Sequence, residues 1–270
     1  MGHKFLTALL STTLVFGCLR NCFGEEKGAP AAEAQHVVAV AAAADLKFAL
    51  DTLIADFQKK NPAIAVKATY GSSGNFFTQL LNKAPFDLFL SADIEYPQKL
   101  IDAGLAVKGS KFSYAIGRLV VWVPKDSKID VKKLGIEALL DGNIKKIAIA
   151  NPKHAPYGRA AEAALKKLGV YEKVSTKLAL GENIAQTAQF VESGAADIGL
   201  LALSLVLAPA MKDKGVYWEV PQDAFPKLEQ GGVMLSWAKD VGAAKTFQAY
   251  IVSAEGKKVL KDFGFLLPAE

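Results

Sequence analysis

The chain has 270 residues, 51% of them hydrophobic and 22% charged, with a formal net charge of +5 at pH 7. That length and apolar content suit one large domain or two packed lobes and exclude a disordered or fibrous chain. Lysines are scattered near acidic residues, as in Lys257 and Lys258 after Glu255, and form no basic stripe interleaved with aromatics; this excludes a nucleic-acid-binding surface.

Residues 1–24 carry Lys4, an apolar run from Phe5 to Gly17 and no acidic residue, which is the pattern of an export signal rather than of a membrane span. Cleavage after Gly24 fits the small-residue rule, while Val15-Phe16-Gly17-Cys18 offers a lipoprotein-like box with lipid anchoring at Cys18. Removing Lys4 and Arg20 with the signal lowers the formal charge to +3. Both cysteines, Cys18 and Cys22, lie in this segment, so a chain cut after Gly24 holds no disulfide and no cysteine metal site. Residues 25–36, rich in Glu, Ala, Gly and Pro, read as a flexible leader.

From Val37 onward short apolar runs alternate with helical patterns. Val37 to Ala42 reads as a strand, and Leu46, Leu50, Leu53, Ile54 and Phe57 then mark one face of a helix that Asn61-Pro62 stops. A strand from Ile64 to Tyr70 leads through Gly71-Ser72-Ser73-Gly74 into a helix that buries Phe76, Phe77, Leu80 and Leu81. The strand Asp87 to Leu90 and a helix from Tyr96 to Ala103, closed by Gly104, complete a first series. Arg118 to Val123 opens a second series. Its strands are Lys146 to Ala150, Lys177 to Leu180 and Asp197 to Leu201, and its helices, Tyr157 to Leu168 and Ile184 to Ser193, end at Gly169 and Gly194. Trp218 to Val220 and Gly231 to Trp237 read as extended, and helices from Ala243 to Ser253 and Glu255 to Phe263 finish the chain. Trp122, Trp218 and Trp237 fall in strand-like runs and read as core or hinge-side residues. Such strand-helix alternation predicts an α/β fold of two lobes, each a mostly parallel sheet flanked by helices, with lobe segments 37–117, 118–232 and 233–270.

In open α/β sheets ligands bind beyond the carboxyl ends of the strands, where helix N-termini present unpaired N–H groups and the positive end of the helix dipole. Small or hydroxyl-bearing residues recur at these junctions. They are Ala42-Ala43-Ala44-Asp45-Leu46, Gly71-Ser72-Ser73-Gly74, Ala84-Pro85-Phe86-Asp87 with Ser91-Ala92-Asp93, Asn151 through Gly158, and Gly181-Glu182-Asn183-Ile184. Read singly, each serine or aspartate is a helix cap; the repetition is what points to an anion site.

Taken together these segments resemble the molybdate-binding periplasmic proteins of ABC importers, a branch of the type II periplasmic binding-protein fold, over Val37 to Pro268. The resemblance implies an exported, monomeric, non-catalytic binding protein. It would hold one molybdate or tungstate in the cleft and deliver it to a membrane permease, with no cofactor and no cation ligand. It places the anion's ligands at Ala44 and Asp45, at Ser73 through hydroxyl and N–H, and at the backbone N–H groups of Tyr157 and Ile184. Family members often have a tyrosine where Ala202 stands, and a small residue where Tyr157 stands. They usually carry a hydroxyl or amide side chain at the first junction, where this chain has Ala44-Asp45; sulfate and phosphate therefore stay open as ligands.

Two readings of Asp45 stand side by side. As a cap it turns its carboxylate onto the helix running from Leu46 to Phe57 and offers the pocket its N–H; as a titrating group it shares a proton with the ligand. His154 is the only histidine in the body of the fold and reads as a turn residue. Paired with Ser73 it is the one opening for an exported serine hydrolase, although Gly71-Ser72-Ser73-Gly74 is not the Gly-x-Ser-x-Gly elbow.

Overall fold

The computed structural model describes residues 1–2 and 36–269. The export signal, the leader and both cysteines lie outside the described residues, apart from Met1, Gly2 and His36. Elements follow in the order β1 (His36–Ala43), a 3-10 turn (Ala44–Leu46) continuing into α1 (Lys47–Lys60), β2 (Ile64–Gly71), α2 (Ser73–Leu81), β3 (Leu88–Ser91), α3 (Glu95–Asp102) and β4 (Phe112–Ile116). Then come β5 (Leu119–Pro124), α4 (Val131–Leu134), β6 (Ile147–Ala150), α5 (Pro156–Lys167), α6 (Tyr171–Val174), β7 (Leu178–Gly181), α7 (Ile184–Glu192), β8 (Ile198–Ala202), α8 (Leu203–Val206) and β9 (Gly215–Glu219). The chain closes with β10 (Glu229–Met234), α9 (Val241–Ile251) and α10 (Ala254–Asp262).

Two five-stranded sheets result, ordered β2-β1-β3-β10-β4 and β7-β6-β8-β5-β9. Each has a parallel trio, because α1, α2, α5 and α7 provide the crossovers that parallel neighbours need. Each also has an antiparallel strand in fourth place: β10 pairs antiparallel with β3 and β4, and β5 with β8 and β9. These two are the strands by which the chain enters one sheet from the other, so the sheets are mixed. β4 lacks a helical or strongly alternating signal and appears only in the structure. The return to the first sheet comes at Glu229, ahead of the expected 233, since Gly231 and Gly232 already pair with Ser91 and Leu90. The two crossing segments run side by side, with the Gly117 N–H donating to the Leu228 carbonyl at 2.9 Å.

The inner strands are apolar on both faces because helices cover both, as Val38, Val40, Ala41 and Ala42 of β1 illustrate; all are fully buried. Helix ends fall where glycine permits a left-handed residue: Gly104, Gly169 and Gly194 have φ of 70°, 73° and 77°. On α2, Phe76 and Leu80 are buried but Leu81 is 46% exposed, which corrects the expected apolar face. Trp122 is buried in the second lobe's core, Trp218 packs against it, and Trp237 donates to the Ala84 carbonyl at 3.0 Å. Under β1 the anchor of α1 is Phe57, fully buried, edge-on to Phe247 of α9 at 5.0 Å and tilted against Tyr250. Phe57→Ala is expected to lower the unfolding free energy by about 3–5 kcal/mol, the usual cost of deleting a buried ring. Urea denaturation followed by circular dichroism measures it, and a loss below about 1 kcal/mol would remove Phe57 from the core account.

Candidate functional site

The parallel strands β1 and β2 of the first sheet, and β6 and β7 of the second, end facing one another. The helix after each begins at a small cavity, and Ala44, Asp45, Ser73, Tyr157 and Ile184 all line it. Every one of these five is buried. The remaining wall is Ala43, Gly71, Ser72, Ala92, Ala155, Pro156 and Asn183, so no lysine, arginine or histidine contributes to it.

Local sequence decides which groups are left to face this space. Ser72 caps α2 by accepting from the Asn75 N–H at 3.2 Å. Ser73, one residue on, directs its oxygen at the Ala92 N–H, 3.0 Å away, which leaves its hydroxyl proton for another acceptor. Asn183 caps α7 by taking the N–H groups of Ala185 and Gln186, each at 3.0 Å, and so leaves the amide of Ile184 without a claim from the cap. Pro156 opens α5 with no donor of its own, and the amide of Tyr157 is the first that the helix presents. Gly158 must be glycine here: a Cβ would lie 2.2 Å from the Ala150 carbonyl, where α5 starts against the end of β6. Alanines at 43, 44, 92 and 155 keep the space open.

The lobes meet around this cavity. The Gly74 N–H donates to the His154 carbonyl at 2.9 Å, and the Ser204 hydroxyl donates to the Asp45 carbonyl at 2.8 Å. Arg159 bonds the Asp93 carboxylate at 2.5 Å and the Tyr96 hydroxyl at 3.2 Å. His154 places Nδ1 3.0 Å from Ser72 Oγ and Nε2 3.6 Å from Glu182, so it belongs to the closed interface and not to a dyad with Ser73. Among the described residues no group of three or more His, Cys, Asp or Glu could hold a metal ion.

Asp45 does not cap α1. The helix begins at Lys47 with Leu46 in the cap position and no side-chain cap bond, because a 3-10 turn over Ala44–Leu46 rotates Asp45 inward. Its Oδ2 accepts from Gln230 Nε2 at 2.5 Å, while Oδ1 is buried with no hydrogen-bond partner. The Tyr157 hydroxyl faces the same carboxylate and lies 3.5 Å from Gln230 Nε2. Burial raises the Asp45 pKa from 3.8 to about 6, against the lowering effect of the Gln230 hydrogen bond and of the nearby Tyr157 hydroxyl and Asp45 and Leu46 amides, none of which makes a well-formed hydrogen bond to Oδ1. Burial, reinforced by the Asp45 charge, pushes the Tyr157 and Tyr114 hydroxyls well above their ordinary value, so both stay neutral. Ala202 is buried at the end of β8 and is not part of the cavity wall. Ala92 falls in the Ser91-Ala92-Asp93 junction already singled out, whereas Gln230 and Ser204 carry no sequence signal and only the packed fold brings them to this place.

Two expectations follow. A Cβ on Gly74 would meet the His154 carbonyl at 2.4 Å and its Cα at 2.9 Å, both in the opposite lobe. Gly74→Ala should therefore fold with near-normal stability yet hold the lobes apart, which small-angle scattering would register as a larger radius of gyration; an unchanged radius would contradict it. For Asp45, the folded state keeps its proton up to about pH 6 and the unfolded state only to about 3.8. The stability this group contributes is thus fully present below about pH 4 and is lost as pH rises through about 6. Relative to Asp45→Asn, wild type should lose about 3 kcal/mol of unfolding free energy between about pH 4 and pH 7. Parallel denaturant titrations of the two proteins measure this, and parallel pH profiles would refute it.

Residues 38–266 match the model of the bacterial extracellular solute-binding protein family. The chain is 39% identical to the molybdate-binding protein ModA of Azotobacter vinelandii over 88% of its own length and 91% of that protein's. It is 38% identical to the ModA of Rhodobacter capsulatus over 74% of this chain and 77% of that one. The solved periplasmic molybdate-binding protein of Azotobacter vinelandii superposes with a TM-score of 0.79 at 32% identity, covering 86% of this chain and all of that one. With the two-lobed cleft already described, these matches show that the chain belongs to the bacterial extracellular solute-binding proteins.

Proposed function

We propose that this protein captures molybdate, or tungstate of the same shape, between its lobes outside the cytoplasm and hands it to an ABC-type permease in the membrane. The observation that carries this is a buried, cation-free cavity at which four helix-starting segments, two from each lobe, present donors. The molybdate-binding relatives support the choice of ligand, and the export signal supports the location. Donors without cations suit a permanently ionised tetrahedral oxyanion. Each hydrogen bond to a charged group contributes roughly 1.5–3 kcal/mol, so a handful supplies the roughly 8 kcal/mol of a micromolar site and offsets the cost of closing the lobes.

In this reading the amides of Ala44, Asp45, Tyr157 and Ile184 and the amide and hydroxyl of Ser73 donate to the ligand's oxygens. The molybdenum itself is cargo and touches no protein atom. The lobes are 36–117 with 229–269, and 118–228, closing about the paired segments at Gly117 and Leu228. No catalytic step is required. The hydrolase alternative loses its geometry because His154 is engaged with Ser72, and Ser73 answers to Ala92.

Calorimetry of the mature protein against molybdate, tungstate, sulfate, phosphate and chromate tests the reading. One equivalent of molybdate or tungstate should bind more tightly than the other three, and absence of heat with both would end the assignment. Ser73→Ala should weaken molybdate binding about 10- to 100-fold, the worth of one charge-assisted bond. It should also cost the unliganded protein about 1 kcal/mol, because the buried Ala92 N–H loses its acceptor. Ser72→Ala should weaken binding less, since that hydroxyl is spent on the helix cap and His154. A larger loss in Ser72→Ala than in Ser73→Ala would reverse their assigned roles.

A further inference from the structure

We propose that Asp45 meets the bound oxyanion as a carboxylic acid, so that capture by the ionised site takes up one proton from solvent and the site's affinity falls as pH rises. This deepens the oxyanion-binding reading above and rests on it. The Asp45 carboxyl group carries an oxygen with no well-formed hydrogen bond. Asp45 is 1% exposed and lines the anion cavity, one of its oxygens is held by Gln230, and the other, Oδ1, is buried with no partner. A buried carboxylate oxygen without a donor is costly, and an ionised one beside an anion is costlier.

No opposite charge lies nearby, and the Gln230 amide, the Tyr157 hydroxyl and the backbone amides of Asp45 and Leu46 offset the carboxylate only in part. The groups facing Asp45 are Gln230 from β10, the Tyr157 hydroxyl from α5 and Tyr114 from β4, whose hydroxyl already donates to the Ser91 carbonyl at 2.9 Å. From α8 only the Ser204 hydroxyl reaches it, and that bonds the Asp45 carbonyl rather than the carboxylate. All four are uncharged, and the cavity wall holds no cation. A dianion entering this space meets either a like charge at short range or, after one protonation, an O–H that donates to it. The balance is simple: the carboxylate and one solvent proton give the neutral acid, the acid's hydrogen bonds the oxyanion, and no covalent bond to the ligand forms or breaks. Burial alone already moves Asp45 toward protonation in the unliganded molecule, with a pKa of about 6, and a bound dianion drives it further in the same direction.

The experiment is calorimetric titration of the mature protein with sodium molybdate, and separately with sodium sulfate, at several pH values from about 6 to 8.5. At each pH it is repeated in buffers of different ionisation enthalpy, a range lying above the ordinary aspartate pKa. The plot of observed against buffer enthalpy gives the protons taken up. The expected slope at the alkaline end is one proton per ligand, with affinity falling close to tenfold per pH unit there. Asp45→Asn should show a slope near zero and an affinity that no longer depends on pH; its circular dichroism and thermal transition check that it folds. A wild-type slope of zero with normal molybdate binding overturns the proton uptake and leaves the molybdate reading standing. Proton uptake that persists in Asp45→Asn overturns the assignment to Asp45. If molybdate gives no heat but sulfate does, the choice of ligand fails and the sulfate slope decides the proton question; if neither binds, both ideas fall.

Discussion

On the oxyanion-binding reading proposed above, the governing demand on the fold is to keep a few backbone amides unpaired at a buried cavity. Unpaired donors in a protein interior are expensive, so a fold that leaves them must put them at helix starts, where they exist in any case, and must pair every neighbour that does not serve. Here the selection is done by side chains. Ser72 takes the third amide of α2, Asn183 takes the second and third amides of α7, Pro156 deletes one donor from α5, and the Ala92 N–H occupies a lone pair of Ser73 Oγ without claiming its proton. What remains borders one cavity, where four alanines and a glycine among the wall residues leave room and compete for no hydrogen bond.

The two sheets solve this problem twice. In each, the trio β2-β1-β3 or β7-β6-β8 sends its strand ends toward the cleft, and in each the fourth strand runs against its neighbours because it arrives from the other lobe. Antiparallel entry lets the polypeptide cross twice within a short span, at Gly117 and Leu228, and makes that span the natural axis of movement. Closure is held in part by polar contacts at the rim or wall of the cavity, the Gly74 amide on His154, Arg159 on Asp93 and Tyr96, and Ser204 on Asp45, and in part by Ala43, Ala44 and Ala92 of the first lobe, which pack into the second lobe's apolar cluster.

Most of the frame was readable from pattern alone. The 3.6-residue repeat of Leu46, Leu50, Leu53 and Phe57, the glycines at 104, 169 and 194, and the small-residue turns at the strand ends all act through local backbone chemistry, and the structure places them as that chemistry requires. The failures share a cause. Leu81 is apolar at a buried spacing yet faces outward, since α2 is covered on one side only. β4 is only five residues long, Phe112–Ile116, and β10 opens with Glu229, Gln230 and two glycines, so pairing partners far away in sequence, and not composition, make them strands. Asp45 has the residue type of a helix cap, but the 3-10 turn that rotates it inward depends on tertiary packing, and its partner Gln230 lies 185 residues on.

That displaced aspartate ties the chemistry of the cavity to the mechanics of the crossing. A Cβ on Gly117 would come within 2.3 Å of the Tyr157 hydroxyl and 3.0 Å of Gln230 Nε2, so the hinge backbone is packed directly against the two groups that face the Asp45 carboxylate. Gln230 itself belongs to β10, the strand by which the chain returns to the first lobe, and Tyr157 to the helix that begins the second lobe's half of the site. A charge on Asp45 therefore acts on both lobes and on the segment between them. In the closed form the carboxyl group is sealed from water, and closure favours the neutral state; when the lobes part, water reaches it and the ionised state becomes cheaper. By reciprocity, whatever fixes the proton on Asp45 favours the closed form, and whatever removes it favours the open one. A neutral donor at this position would hold an oxyanion equally well but would sense neither pH nor closure, and that difference is what the aspartate adds to the fold.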